Sequence, residues 1–247
     1  MEATGSSQEA VGEDDARLFR LSGISAIFVA LSYPVIIVLF IIAGVDQPTG
    51  EGGAAWLAYL SENTGAWWAI VGLSVLTDVL WIPVAWAVYV ALRSVDRTMA
   101  LVGSGLLVLF VILELATSWP SYAVLIALSG DLQTATAAQR NDILAAAGFA
   151  AAIISSHLLP FYAILLPALG QLSIGAVMRR GGPFGRSTAY FAIAAGLLGV
   201  VAVLGGMAWE PLEQAIILGS LLSGVWFFLV GYRLWRIGIG SRHASTS

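Results

Sequence analysis

Six long apolar stretches, separated by short polar turns, dominate the chain. They cover about residues 21–44, 66–92, 99–128, 143–178, 187–209 and 212–235. A helix rises about 1.5 Å per residue, so roughly 20 apolar residues cross the hydrocarbon core of a bilayer. The third and fourth stretches are longer than one crossing requires. The pattern predicts an all-α integral membrane bundle of six transmembrane helices.

Both overlong stretches carry proline, which removes a backbone donor and bends a helix. Pro120 lies in the third stretch, and Pro160 and Pro167 lie in the fourth. We expect each stretch to form one tilted, kinked helix whose end projects from the hydrocarbon core. The alternative is a hinge or a broken helix that lines a cavity, as in transporters.

Arginine placement predicts the orientation of the six spans. With the N-terminus inside, Arg140 is the one basic residue in the outer loops, and the other ten of the eleven lie on the inner side. An excess of basic residues is typical of cytoplasmic loops. We therefore expect both termini in the cytoplasm. Residues 1–16 are predicted to be a disordered acidic tail, residues 17–237 the membrane domain, and residues 238–247 a cytoplasmic C-terminal tail.

Composition excludes several functional classes. Apolar residues make up 59% of the chain and charged residues 11%, with a mean hydropathy of +0.88, so a soluble enzyme or a nucleic-acid-binding protein is excluded. Cysteine and lysine are absent. Their absence excludes disulfides, cysteine-ligated metals, a retinal Schiff base and a Walker-type phosphate loop. No cofactor and no metal site is predicted.

The segment at about 45–65 has an aromatic face. In the run AAWLAYL, Trp56 and Tyr59 are three residues apart and so share one side of a helix. Tryptophan and tyrosine favour the membrane–water boundary. The segment is predicted to contain a short helix lying on the outer surface. The alternative is an aromatic lid over a pocket.

Three ionisable residues fall inside predicted spans. Asp78, Glu114 and His157 lie in the second, third and fourth stretches. Such groups are costly in a bilayer, so they usually face the bundle interior and pair with one another. Counted from the flanking arginines, all three fall in the outer half of the membrane. We expect them to face one another.

Nearby polar residues extend this cluster. The predicted ligand-binding residues are Asp78, Glu114, His157, Ser74, Tyr122 and Gln171. Three interpretations stay open: a hydrogen-bonded cluster that fixes helix packing, a site for a ligand or ion, and a catalytic site. One membrane histidine supports neither a zinc site nor haem held by two histidines.

Small residues recur four apart in the last two spans, at 195/199, 202/206 and 220/224. Such pairs let membrane helices approach closely. We expect them to pack within the bundle, and the alternative is a homodimer through the fifth or sixth span. The basic turn at 179–186 is a topology signal whose alternative role is contact with anionic lipid.

A family resemblance adds to this picture. The run DVLWIPVAWAVYVALRSVDRTMALVG at 78–103 resembles the prokaryotic multi-span membrane proteins grouped as the domain-of-unknown-function 4386 family. The matching features are Asp78 within a span, Arg93 and Arg97 in a short basic turn, and Ala100-Leu101 at the next span. The turn at 181–196 resembles a late turn in that family. The resemblance covers about 17–235 and implies a bacterial membrane protein without an established activity.

The expected function is binding or transport of a small or lipophilic molecule through a polar cavity in the outer half of the bilayer. The alternatives are an intramembrane enzyme acting on a lipid-like substrate and an accessory subunit of a membrane complex. The expected partners are membrane lipids and such a ligand, with no nucleic acid. The expected location is the bacterial cytoplasmic membrane.

The predicted topology is directly testable because the chain has no native cysteine. A cysteine introduced at position 181 should resist a membrane-impermeant thiol reagent in intact cells, whereas one in the 129–142 loop should react. Labelling at position 181 in intact cells would refute the predicted orientation.

Overall fold

The structure, a computed structural model, describes residues 13–44, 48 and 52–244 of the chain. In this part of the chain all regular structure is helical. Six helices are long and apolar enough to cross a membrane, which confirms the predicted all-α fold of six spans. The spans cover Asp14–Ala43, Thr64–Leu92, Arg97–Thr134, Phe161–Arg180, Arg186–Gly205 and Glu210–Gly240.

Two shorter helices are added to the six spans. The first short helix, Gly53–Glu62, precedes the second span, and the second short helix, Ala137–Ile154, follows the third. A Thr136–Gln139 capping box begins the second short helix, because the two side chains satisfy each other's backbone N–H groups. Both short helices pack against the end of the third span, Trp119–Thr134. Together they cover one end of the bundle.

Three spans each contain one π-helical turn: Glu114–Ser118, Phe161–Leu165 and Val201–Gly205. Pro120 and Pro167 each follow the end of a π-turn by two residues. A proline lacks the N–H for the preceding turn, and its ring clashes with the carbonyl group four residues earlier. A π-turn accommodates that mismatch without ending the helix. The third span is therefore continuous across Pro120.

The fourth apolar stretch is divided into two helices. The second short helix ends at Ile154, and the fourth span begins at Phe161. In the break, the Ser156 hydroxyl accepts from the Leu158 N–H, and Pro160 bounds the next helix. The expectation of one kinked helix over 143–178 is therefore wrong. A serine hydroxyl that bonds a backbone N–H, followed by a proline, interrupts the helix despite its apolar composition.

The turns after the second and fourth spans meet at one end of the bundle. Arg180 Nη1 donates to Asp96 Oδ2 at 2.6 Å, and Gly182 lies against Leu92. The first span begins and the sixth ends at the same level, since Gly238 contacts Arg20. We call this the arginine end, and the end covered by the short helices the opposite end.

The first and last helices extend into the segments that the sequence predicts to be tails. The first helix begins at Glu13 and the last, Ala215–Ala244, runs past position 238. Ala16 packs against Gly238, so mutual contact extends both helices beyond their apolar stretches. Positions 1–12 and 245–247, where the rest of the predicted tails falls, lie outside the described residues.

Two cores fill the bundle. The main core joins all six spans towards the arginine end and contains the fully buried Trp226 and Phe227. The second core, at the opposite end, joins the short helices to the second and third spans around Trp67. Large apolar side chains such as Leu21 and Trp86 are exposed along the outside of the spans. A bilayer would cover such surface.

Glycines allow the closest helix contacts. Gly23 faces Gly231 where the first and sixth spans cross, and Gly103 faces Gly170 between the third and fourth. Gly199, from the predicted 195/199 pair, lies against the fourth span at Ala168. This pair is therefore used within the bundle, as in the first of the two interpretations.

We expect Gly23→Ala to lower the free energy of unfolding by about 1–3 kcal/mol. The added Cβ would lie 2.7 Å from the Trp235 backbone nitrogen and 2.8 Å from the Gly231 oxygen, so the helices must separate. Gly72→Ala is the matched control, because a Cβ there meets nothing within 4 Å. Unfolding in detergent by titration with dodecyl sulfate would measure both. Equal stabilities would contradict the close crossing.

Candidate functional site

Two carboxyl groups are buried together between the second and third spans. Asp78 and Glu114 are each only 5% exposed, and Asp78 is bonded to Trp119, the residue directly after the π-turn that begins at Glu114. Trp119 Nε1 donates a 2.6 Å hydrogen bond to Asp78 Oδ2. We call Asp78 and Glu114 the carboxyl pair. Of the three ionisable residues expected to face one another, these two lie in the same region of the bundle.

The π-turn Glu114–Ser118 shapes the site on the third span. Two hydroxyl groups of this region bond to carbonyl oxygens one turn earlier. Thr117 Oγ1 donates to the Leu113 oxygen at 2.6 Å, and Ser121 Oγ donates to the Thr117 oxygen at 2.7 Å. The Ser118 side chain interacts with the Glu114 carboxyl group.

Tyrosines from three elements surround the carboxyl pair. Tyr33 of the first span lies near Asp78, and Tyr122 of the third lies near Glu114. The Tyr162 hydroxyl, on the π-turn of the fourth span, lies within hydrogen-bond distance of Thr117 Oγ1, at 3.1 Å. The pair therefore lies at the meeting point of four spans.

An aromatic layer closes the site at the opposite end. Tyr122 stacks on Trp67 with ring centroids 5.6 Å apart and an angle of 10°, and it also packs against Trp119 and Trp56. Tyr59 completes the layer by packing edge-on against Trp67. We call these five rings the aromatic layer.

The predicted surface helix in the 45–65 segment is present, but its environment differs from the expectation. Trp56, Leu57 and Leu60 are buried against protein, so the apolar face of this helix does not lie in the membrane interface. The aromatic residues of the first short helix serve instead as packing over the carboxyl pair. Positions 45–47 and 49–51 of this segment lie outside the described residues.

Several buried polar atoms near the site have no hydrogen-bond partner in the structure. Glu114 Oε1 is one, Thr77 Oγ1 beside Asp78 is another, and the indole nitrogens of Trp56 and Trp67 complete the set. Buried polar groups are hydrogen-bonded in the great majority of cases. Glu114 therefore lacks a protein hydrogen-bond partner at one of its two carboxyl oxygens.

The other predicted site residues separate into different places. Ser74 is buried one turn from Asp78. Gln171 lies apart from the carboxyl pair, in the fourth span, where its Oε1 accepts from Ser223 Oγ at 3.1 Å. His157 is exposed in the break before the fourth span. The expectation that His157 faces the carboxyl pair is not met, because the broken helix leaves it at the surface.

His157 instead borders a groove at the opposite end. The groove has a volume of about 450 Å³ and lies between the fourth, fifth and sixth spans. Two of the three π-turns contribute to its walls, and Glu213 adds a second ionisable group. It is lined by His157, Pro160, Phe161, Ile164, Ala202, Val203, Met207, Glu213 and Ile216.

A smaller cavity, the inner pocket, lies deeper in the bundle. Its volume is about 80 Å³, and Gln171 and Ser223 line it. Tyr33, which lies near Asp78, forms another part of its wall. Ile164 and Ile216 line both the groove and the inner pocket. These two side chains therefore form a wall that the two cavities share.

Several residues of the site escaped the sequence analysis. Trp119, Tyr33, Tyr162 and Ser223 are ordinary residues of apolar spans, so hydropathy gives no signal for them. The one usable signal was the pairing of Trp119 with Pro120 five residues after Glu114, which in the structure accompanies a π-turn. In the described part of the chain, no three histidine, aspartate or glutamate side chains come together as metal ligands.

No protein-family model matches the chain, and neither a curated protein nor a solved structure matches it. The resemblance of residues 78–103 to a prokaryotic membrane family therefore stays a prediction.

We expect Trp119→Phe to lower the free energy of unfolding by about 1–3 kcal/mol, because it leaves Asp78 Oδ2 without its donor. The matched control is Trp68→Phe, since the Trp68 side chain is 47% exposed and a change there should fall within about 0.5 kcal/mol. The measurement is unfolding in detergent. A Trp119→Phe protein as stable as the control would show that the bond contributes nothing.

Proposed function

We propose that this protein binds a small amphipathic molecule from the outer side of the membrane, as the loading step of transport. The observation that supports it is the adjacency of the groove and the inner pocket, which share Ile164 and Ile216 in their walls. Ligand sites of membrane transporters commonly lie near the middle of the bilayer, beside interrupted helices. Gln171 lies eight residues before Arg179, which corresponds to about 12 Å from the arginine end.

The chemistry of the two cavities suits a molecule with an apolar body and one polar group. Phe161, Val203 and Met207 make most of the groove wall apolar. The inner pocket is too small for a second apolar body, but the Gln171 amide and the Ser223 hydroxyl supply donors and acceptors there. The polar end of the molecule would enter first, and its apolar body would remain in the groove.

The packing of the bundle supports loading from one side only. Leu92, Val177 and Leu234 are fully buried towards the arginine end, while the groove and the break that carries His157 lie at the opposite end. Arginine-rich turns favour the cytoplasmic side. The groove would then open towards the outside of a bacterial cytoplasmic membrane.

A photoactivatable alkanol is a suitable probe, because it has an apolar chain and one hydroxyl group. We expect an eight-carbon diazirine alkanol to label groove and inner-pocket residues of the purified protein, as mapped by mass spectrometry. Excess octanol should compete with this labelling. Ile164→Trp should reduce labelling of the segments that contain Gln171 and Ser223 several-fold, because the larger indole would obstruct passage at the wall that the two cavities share.

Leu169→Trp is the matched control, since Leu169 lies on the same helix and is 38% exposed. Labelling of the inner pocket should persist in this variant. Inner-pocket labelling that octanol does not reduce, or that Ile164→Trp leaves unchanged, would refute the route.

A further inference from the structure

The carboxyl pair lacks any protein-derived positive charge. In the described part of the chain the one ion pair is Arg180–Asp96, at the arginine end, and the carboxyl pair lies among the aromatic and hydroxyl groups of four spans. Two carboxylates at this depth would each cost several kcal/mol and would repel each other. Burial of both therefore requires a positive charge from outside the protein.

The environment of the pair supports a small cation rather than a bulky one. Neither Asp78 nor Glu114 lines the groove or the inner pocket, and the aromatic layer is packed ring against ring above them. Glu114 Oε1 is buried without a partner. Hard cations prefer oxygen ligands, and a proton needs only one carboxyl oxygen.

We propose that Asp78 and Glu114 together bind one small monovalent cation, a proton or Na⁺. The cation supplies the partner that Glu114 Oε1 lacks, while Trp119 holds Asp78 in place through Oδ2. The titratable groups that face the pair are Asp78 and Glu114 themselves and the tyrosines Tyr33, Tyr122 and Tyr162, with Tyr59 behind Tyr122. None of these tyrosines carries positive charge in any protonation state.

The cation site is connected to the groove by one short path. Ser118 and Thr117, on the same π-turn as Glu114, contact the Tyr162 hydroxyl at 3.4 and 3.1 Å. Tyr162 lies on the π-turn Phe161–Leu165, which also places Phe161 and Ile164 in the groove wall. A link between cation binding and ligand loading in the groove rests on the proposed function. The cation site itself does not depend on that function.

The test uses the purified full chain and no groove ligand. Unfolding temperature would be followed by tryptophan fluorescence, with NaCl titrated against choline chloride at fixed alkaline pH, and with pH titrated in the absence of Na⁺. If the cation is Na⁺, the unfolding temperature should rise by about 5–10 °C at a concentration one hundred times its dissociation constant. If it is a proton, stability should fall as pH rises, because the folded state then binds more protons than the unfolded chain.

Asp78→Asn and Glu114→Gln should each abolish the response, whereas Asp142→Asn, which changes an exposed carboxyl group of the second short helix, should retain it. A response that persists in both site variants, or that neither Na⁺ nor pH produces in the unaltered protein, would overturn the proposal.

Carbodiimide labelling keeps the proposal testable if the site variants do not fold. Dicyclohexylcarbodiimide reacts with protonated carboxyl groups in apolar surroundings, and the modified residue can be mapped by mass spectrometry in the unaltered protein. Asp78 or Glu114 should be modified, and the extent should decrease with rising pH or with added Na⁺. If neither residue is modified, or if the extent of modification changes with neither pH nor Na⁺, cation binding is contradicted. This conclusion holds whatever the outcome of alkanol labelling.

Discussion

Two carboxyl groups inside membrane-spanning helices must be kept away from lipid, and much of the opposite end of this bundle follows from that requirement. Asp78 bonds to Trp119, which lies on the helical turn directly after the π-turn that carries Glu114. Trp119 packs on Tyr122, and Tyr122 on Trp67. The first short helix then covers these rings. The hydrogen bond that Trp119 donates to the buried Asp78 thus positions the aromatic side chains of the second core.

The π-turns connect this polar centre with the groove. A π-turn changes the direction of the side chains that follow it, since each residue is rotated less about the helix axis than in an α-helix. The turn on the third span places Glu114 inside the bundle and Thr117 against Tyr162. The turn on the fourth span places Ile164 in the wall shared by the groove and the inner pocket. Local winding therefore positions both candidate sites.

Hydropathy was sufficient for the six spans, because each must be long and apolar to cross a bilayer. It also located Asp78 and Glu114, since the cost of exposing an acid to lipid leaves the interior as its place. It failed at His157, where composition suggested one long helix and Ser155, Ser156 and Pro160 instead end it. The partners Trp119 and Tyr162 could not be predicted, because contacts between spans depend on helix rotation and crossing, which a hydropathy pattern does not encode.

The most direct test of this account is a double-mutant cycle between Trp119 and Asp78, with Trp119→Phe, Asp78→Leu and the combined variant compared by unfolding in detergent. A buried hydrogen bond to an acid predicts a coupling energy of at least about 1 kcal/mol, so the second substitution should cost less once the first has been made. Additive effects, with a coupling energy near zero, would contradict the arrangement on which the second core and the cation site both depend.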